Sequence, residues 1–123
     1  MKKTVLAVGN CAYDHAEIER AISTRFDAEV IRAAGPETTL EILRGVPVDL
    51  VLVNRRLHAD SSEGLEIIRR IKADPQFART PVMLLSNYPE CQESAVAAGA
   101  APGFGKAELD LPQTEDKLRR FLA

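Results

Sequence analysis

Cysteine is scarce in this sequence of 123 residues, which contains only Cys11 and Cys91. The two cysteines form neither a disulfide framework nor a C-x-x-C pair. A protein of the reducing cytoplasm is therefore expected.

Long apolar runs are missing as well. No run approaches the roughly 18 residues that a membrane helix needs. Met1-Lys2-Lys3 and the apolar residues 5–8 imitate the start of a signal peptide, but the apolar part ends at Gly9-Asn10 and is too short. The segment is therefore interpreted as a first strand, and no association with a membrane is expected.

The sequence has no excess of basic residues: 16 Lys and Arg stand against 18 Asp and Glu, for a net charge of −2. A protein that binds duplex DNA would normally be basic, so nucleic acid is not suggested as a partner. The length fits one domain over residues 1–123 with its own hydrophobic core. No repeat, linker or low-complexity tract divides it.

Apolar runs alternate with helical patterns five times along the chain. Strands are predicted over residues 4–8, 28–33, 49–53, 81–85 and 101–105, and each is followed by a predicted helix. The first helix is expected to begin with a capping box formed by Asp14 and Glu17. The fifth strand is the weakest, because a proline and two glycines interrupt it. This alternation predicts an α/β protein with a parallel sheet and helices on both of its faces.

Polar residues follow several of the predicted strands. Gly9 and Asn10 follow the first strand, Asn54 the third, Ser86 the fourth and Lys106 the fifth. Ligand sites of open α/β sheets lie beyond the carboxyl ends of the strands. These residues are therefore expected to converge on one shallow site.

The sequence resembles the receiver domain of two-component response regulators over essentially its whole length. The resemblance rests on residues 47–53, Gly64-Leu65-Glu66, residues 81–86, Gly99-Ala100 and Lys106, and on the spacing between Asn10 and Asn54. It implies a three-layer, doubly wound (βα)5 fold of the flavodoxin-like type with strand order 2-1-3-4-5.

The family transfers a phosphoryl group to an aspartate after the third strand, and two acidic residues after the first strand help this aspartate to hold Mg²⁺. By this resemblance Asn54 takes the acceptor position, and Gly9 and Asn10 take the positions of the acidic pair. Ser86 and Lys106 match the residues that contact the phosphoryl group. An uncharged carboxamide is a poor nucleophile, and Mg²⁺ needs anionic oxygen ligands. No phosphorylation, no metal, no cofactor and no enzymatic activity are therefore expected.

Further departures concern the switch that reports phosphorylation in the family. Ala107 stands where a proline usually follows the lysine, and Gly103 stands at the usual position of a tyrosine or phenylalanine. Without acidic neighbours, Lys106 is expected to reach Asn54, a backbone carbonyl or water. Two weaker alternatives are a metal or redox site formed from Cys11, Cys91, His15 and His58, and a Ser–Lys catalytic pair.

The sequence as a whole predicts a stand-alone, degenerate receiver domain, or pseudo-receiver, that acts as a phosphorylation-independent protein-interaction module in signalling. The expected partner is a signalling protein: a histidine kinase, an effector or another regulator. The expected contact face is formed by the fourth helix, fifth strand and fifth helix, over residues 90–98, 101–105 and 115–122, and the same face could form a homodimer. The alternatives are a phosphorelay receiver with an unorthodox acceptor, and a sensor that binds a small anion at Asn10, Asn54, Ser86 and Lys106.

Overall fold

The computed structural model describes residues Lys2–Ala123, which form one five-stranded parallel sheet. Its strands are β1 (Lys3–Val8), β2 (Ala28–Ala33), β3 (Leu50–Asn54), β4 (Val82–Leu85) and β5 (Ala101–Phe104). They lie in the order β2-β1-β3-β4-β5, and all four pairings are parallel. The predicted doubly wound architecture is confirmed.

A helix follows each strand. The five helices are α1 (Ala12–Ser23), α2 (Pro36–Gly45), α3 (Gly64–Ala73), α4 (Pro89–Ala97) and α5 (Pro112–Leu122), and a short 3₁₀ helix over Lys106–Glu108 precedes α5. Prolines open α2, α4 and α5, because a residue in the first turn of a helix needs no N–H for the helix hydrogen bonds. None of the described helices has the length and apolar character needed to cross a membrane.

The core lies in two layers, one on each face of the sheet. Successive side chains of a strand point to opposite faces, so the apolar run of β3 serves both layers. Leu50 and Leu52 pack in the layer that includes Ile18 of α1 and Leu118 of α5. Val51 and Val53 pack in the layer that includes Ile68 of α3. Burial on both faces explains why β3 is a continuous apolar run.

The start of α1 differs from the prediction. The helix begins at Ala12, and its N-cap is Cys11, whose Sγ accepts a hydrogen bond from the backbone N–H of Asp14 at 3.4 Å. The capping box of Asp14 and Glu17 was therefore a wrong prediction. Asp14 lies in the first turn of the helix, so its carboxylate is free to make another contact.

The pairing of β4 with β5 is irregular. Met83 pairs with Ala101 and Leu85 with Phe104, so a register shift separates the two pairs. Gln92 of α4 supplies hydrogen bonds at this shift. Its Nε2 donates to the carbonyl oxygens of Leu84 (2.9 Å) and Ser86 (3.1 Å), and its Oε1 accepts from the N–H of Gly103 (3.0 Å). One side chain thus joins α4 to both strands.

Candidate functional site

Asn54 ends β3 and is half-buried, at the point where the chain leaves the sheet. Its Nδ2 donates two hydrogen bonds, to the carbonyl oxygen of Gly9 at 3.2 Å and to that of Arg56 at 2.7 Å. Both N–H bonds of the amide are therefore used inside the protein. Only a carboxamide satisfies these two acceptors, because an ionised carboxylate at this position has no hydrogen to donate.

Asn54, Ser86 and Lys106 line one cavity of ≈ 250 Å³, as the sequence predicted for these three residues. Arg55, Arg56, Leu85, Asn87 and Tyr88 complete its lining. Ser86 is buried, and its Oγ accepts a hydrogen bond from the backbone N–H of Tyr88 at 3.1 Å. The two arginines that line this cavity also have partners within the protein. The Arg55 guanidinium stacks over the Tyr88 ring, and Arg56 forms an ion pair with Glu63 at 3.3 Å.

Lys106 forms an ion pair that the sequence did not predict. Its Nζ lies 2.7 Å from Oδ2 of Asp14, and both side chains are about one-third exposed. Next to the lysine, the loops after β4 and β5 approach closely, since a Cβ on Gly105 would lie only 1.6 Å from Oδ1 of Asn87. The expectation that Lys106 reaches Asn54, a backbone carbonyl or water is corrected: the lysine is held by a carboxylate of α1.

The ion pair lowers the pKa of Asp14 below its usual value of 3.8. The hydrogen bond from Lys106 is the largest cause, and partial burial, which disfavours the charged carboxylate, opposes it. A carboxyl group with a lowered pKa in the folded state stabilises the protein at pH values above its unfolded pKa. This contribution is lost as the pH falls below 3.8 and through the lowered pKa of Asp14.

We expect Asp14→Ala and Lys106→Ala to be weakly coupled in a double-mutant cycle. An ion pair whose side chains are one-third exposed is worth about 0.5–1 kcal/mol, because water and salt screen it. Urea unfolding of both single variants and the double variant at pH 7, and again at falling pH, measures the coupling, which should decline as the pH falls below 3.8 and through the lowered pKa of Asp14. A coupling of several kcal/mol at pH 7, or one that does not change as the pH falls, would contradict the pairing as described.

Gly9 and Asn10 do not share the cavity of Asn54, Ser86 and Lys106, so the expected single site is divided in two. Both residues line a second cavity, of ≈ 280 Å³, on the β2 side of the sheet edge. Gly9 turns the chain there with φ = +79°, which glycine adopts without strain. Asn10 is only 3% exposed, and its Nδ2 makes a long contact of 3.5 Å to the carbonyl oxygen of Val8.

The residues do not fit the Mg²⁺ ion that the resemblance implies for the family. Gly9 offers no side chain, Asn10 lines a different cavity, and Asn54 directs its NH₂ group at two carbonyl oxygens. Mg²⁺ binds through carboxylates and keeps several waters. Among residues 2–123, no three His, Cys, Asp or Glu side chains form a group that could hold a metal ion.

The alternative sites suggested by the sequence receive no geometric support. Cys11 caps α1, and Cys91 packs against the apolar layer that includes Ile68. Asp60 is a loop residue, and its Oδ1 accepts hydrogen bonds from the N–H and the Oγ–H of Ser62 at 2.9 and 2.6 Å. The Ser–Lys pair is not assembled in the described residues either, because Ser86 Oγ accepts from Tyr88 and Lys106 pairs with Asp14.

The fold is that of receiver domains. No model of a known family and no curated protein matches the sequence. Among solved structures, the signal receiver domain of a DNA-binding response regulator from Colwellia psychrerythraea has a TM-score of 0.80 at 22% identity, over 96% of each chain. A response regulator from Thermotoga maritima has a TM-score of 0.78 at 24% identity, over 98% of each chain.

A third similar structure is the phosphorylated cyanobacterial phytochrome response regulator RcpA. Its TM-score is 0.78 at 18% identity, and the likeness covers 98% of this chain and 94% of that one. At these identities the likeness concerns the fold alone. The structural neighbours thus support the receiver architecture of this chain.

Proposed function

We propose that this protein is a receiver-fold interaction module in signalling that works without phosphorylation of an aspartate and is not an enzyme. The observation that carries the proposal is the engagement of Asn54 with the carbonyl oxygens of Gly9 and Arg56. A residue in the acceptor position that donates both amide hydrogens to the backbone serves to hold two loops. It cannot attack phosphorus, since its nitrogen is conjugated and its oxygen is uncharged.

The surroundings of Asn54 support the same proposal. Phosphoryl transfer depends on cations that neutralise charge on the moving group. Lys106 is instead neutralised by Asp14 at 2.7 Å, and Arg56 by Glu63 at 3.3 Å. Carboxylates of this chain that lie outside the cavity therefore balance the charges of Lys106 and Arg56 without a phosphoryl group.

Acetyl phosphate with Mg²⁺ is expected to leave the protein unlabelled, and Asn54→Asp alone should not change this. The variant supplies one carboxylate, but no partner carboxylates to retain Mg²⁺. It also loses the two hydrogen bonds of Asn54, which should lower the free energy of unfolding by roughly 1–2 kcal/mol. Intact-mass spectrometry measures the labelling, and urea unfolding measures the stability.

Asn87→Asp is the matched control for the stability effect. Asn87 uses its Oδ1 as an acceptor, from the N–H of Ala107 at 3.3 Å, and an aspartate keeps that contact. The phosphorylated cyanobacterial regulator is the positive control for labelling. A phosphoryl adduct on the unmodified protein, at any residue, would overturn the proposal, and ready labelling of Asn54→Asp would show that Mg²⁺ finds ligands here after all.

The proposed partner surface is the face of α4, β5 and α5. It carries a shallow cavity of ≈ 510 Å³ whose lining residues come from all three elements: Gln92, Glu93, Val96, Ala97, Pro102, Gly103 and Lys117. Val96 is 44% exposed, so an apolar side chain faces solvent in this cavity. Lys117 Nζ donates a hydrogen bond to the carbonyl oxygen of Gly103 at 2.8 Å. The N–H of Gly103 donates to Oε1 of Gln92 at 3.0 Å. Side chains of both helices thus hold Gly103, which supports a face that is formed before a partner binds.

Val96→Asp is expected to abolish partner binding while Val46→Asp leaves it intact. Val46 follows α2 and is 39% exposed, so the two variants place the same charge at similarly exposed valines. Affinity capture from the native cell with wild type and both variants compares the retained proteins. Retention of the same signalling protein by wild type and Val96→Asp, and its loss with Val46→Asp, would contradict the assignment of the face.

A further inference from the structure

The cavity that contains Gly9 and Asn10 has a composition suited to a ligand. It lies at the carboxyl ends of β1 and β2, beside the loop that follows β3, and has a volume of ≈ 280 Å³. Its lining residues are Gly9, Asn10, Arg32, Ala34, His58 and Ala59. The carboxyl edge of an open α/β sheet is where such folds bind small molecules.

The charged and polar side chains of this lining are those of Arg32, His58 and Asn10. Arg32 is exposed, and its Nη2 donates to the backbone carbonyl oxygen of Asn10 at 3.1 Å, so its other N–H groups face outward. His58 adds an imidazole. Of the described residues that line this cavity, none is acidic. Helix α1 begins two residues after Asn10, and the N-terminal end of a helix favours a negative charge nearby.

One buried acceptor in this lining has no donor. Asn10 is 97% buried, and within the described part of the chain its Oδ1 accepts no hydrogen bond. Buried amide oxygens are nearly always bonded, so an exception calls for a specific reason. The same residue lines the cavity and accepts, at its main chain, the bond from Arg32.

We propose that this cavity binds a small oxyanion that carries one O–H group, as hydrogenphosphate does. Arg32 and His58 donate to the anionic oxygens, and Oδ1 of Asn10 accepts the ligand's O–H. Because Oδ1 is sealed from solvent, the ligand reaches it when a covering side chain moves.

The inference is independent of the proposed function, because it concerns neither Asn54 nor the face of α4, β5 and α5. It also differs from an anion site at Ser86 and Lys106, whose lysine is already paired with Asp14. The atom that should distinguish between ligands is Oδ1 of Asn10, which can only accept a hydrogen bond. It favours hydrogenphosphate over sulfate, which has the same shape and carries no O–H.

Titration with inorganic phosphate and with sulfate at equal ionic strength and pH 7 tests the proposal. Backbone amide shifts of residues 9–11, 32–34 and 57–59 in two-dimensional NMR report the location. We expect phosphate to bind about tenfold more tightly than sulfate, the effect of one good hydrogen bond. No shifts at millimolar phosphate, shifts centred on residues 86–88 and 106, or equal affinity for sulfate would each overturn the proposal.

Variants in the two cavities separate the sites. Arg32→Gln changes an exposed side chain and should weaken phosphate binding about tenfold or more. Arg55→Gln, in the cavity of Asn54, is the matched control and should bind phosphate as wild type does. Asn10→Ala should remove the preference over sulfate. Should that buried change prevent folding, the sulfate comparison on the wild-type protein tests the same atom. Loss of binding with Arg55→Gln and retention with Arg32→Gln would place the ligand elsewhere.

Discussion

Gly9→Ala is expected to lower the free energy of unfolding by roughly 2–5 kcal/mol, which combines backbone strain with overpacking. Gly9 has φ = +79°, a conformation that a residue with a Cβ adopts at a cost. A Cβ placed there would lie 2.3 Å from Cδ2 of Leu57 and 3.2 Å from its Cα. Leu57 is only 2% exposed, so it has little room to move away. Urea unfolding of the purified variant measures the loss.

Gly45→Ala is the control for the general effect of a glycine substitution. An added Cβ meets no atom within 4 Å at Gly45, which ends α2. That variant should be neutral or stabilised by up to about 1 kcal/mol, because alanine restricts the unfolded chain. Equal stability of Gly9→Ala and wild type would mean that the loop around Leu57 adapts freely, and that the backbone at Gly9 is not fixed as described.

The constraint at Gly9 bears on the proposed function. An acidic pair after β1 is what the family uses to hold Mg²⁺, and rebuilding it here requires an aspartate at Gly9. Such a side chain would begin with the same Cβ and meet Leu57 in the same way. A variant with acidic residues at Gly9, Asn10 and Asn54 is therefore expected to be unstable before its chemistry can be tested. The chain thus lacks the two carboxylates of the acidic pair, and its backbone at Gly9 leaves no room for one of them.

The strands could be predicted because each depends on a local pattern, whereas their order in the sheet was what the resemblance to receiver domains implied. The apolar run of β3 is typical of a strand buried on both faces, and prolines are the first residues of α2, α4 and α5, a position that they favour. The irregularity of β5 was also visible, since Pro102 and Gly103 interrupt its ladder with β4. These signals lie within a few residues of the feature that they predict.

The contacts of the candidate site were harder to predict, because they depend on backbone direction and on distant partners. Asp14 preceded an apolar helix and was followed by Glu17, which is the pattern of a capping box, but α1 begins at Ala12 with Cys11 as its cap. The earlier start leaves the Asp14 carboxylate free for Lys106, 92 residues further along the chain. Asn10 lines the cavity beside β2 and not the cavity of Asn54.

Gln92→Ala is expected to lower the free energy of unfolding by roughly 2–4 kcal/mol. The side chain makes three hydrogen bonds at the register shift between β4 and β5, to Leu84, Ser86 and Gly103. Alanine leaves their backbone groups without these partners in a partly buried gap, and each such group costs about 1 kcal/mol or more. Thermal and urea unfolding measure the change.

Two further variants show whether the hydrogen bonds of Gln92 account for the loss. Gln92→Glu keeps the acceptor for the Gly103 N–H but places a carboxylate oxygen against the carbonyls of Leu84 and Ser86. It should therefore be destabilised at least as much as Gln92→Ala at pH 7, and less so at low pH, where a protonated glutamate donates again.

Gln113→Ala, on the exposed surface of α5, should change stability by less than about 0.5 kcal/mol. If Gln92→Ala were as mild as Gln113→Ala, water would replace the side chain without loss, and Gln92 would not join α4 to the sheet energetically. The face of α4, β5 and α5 would then lack the rigidity that a preformed partner surface requires.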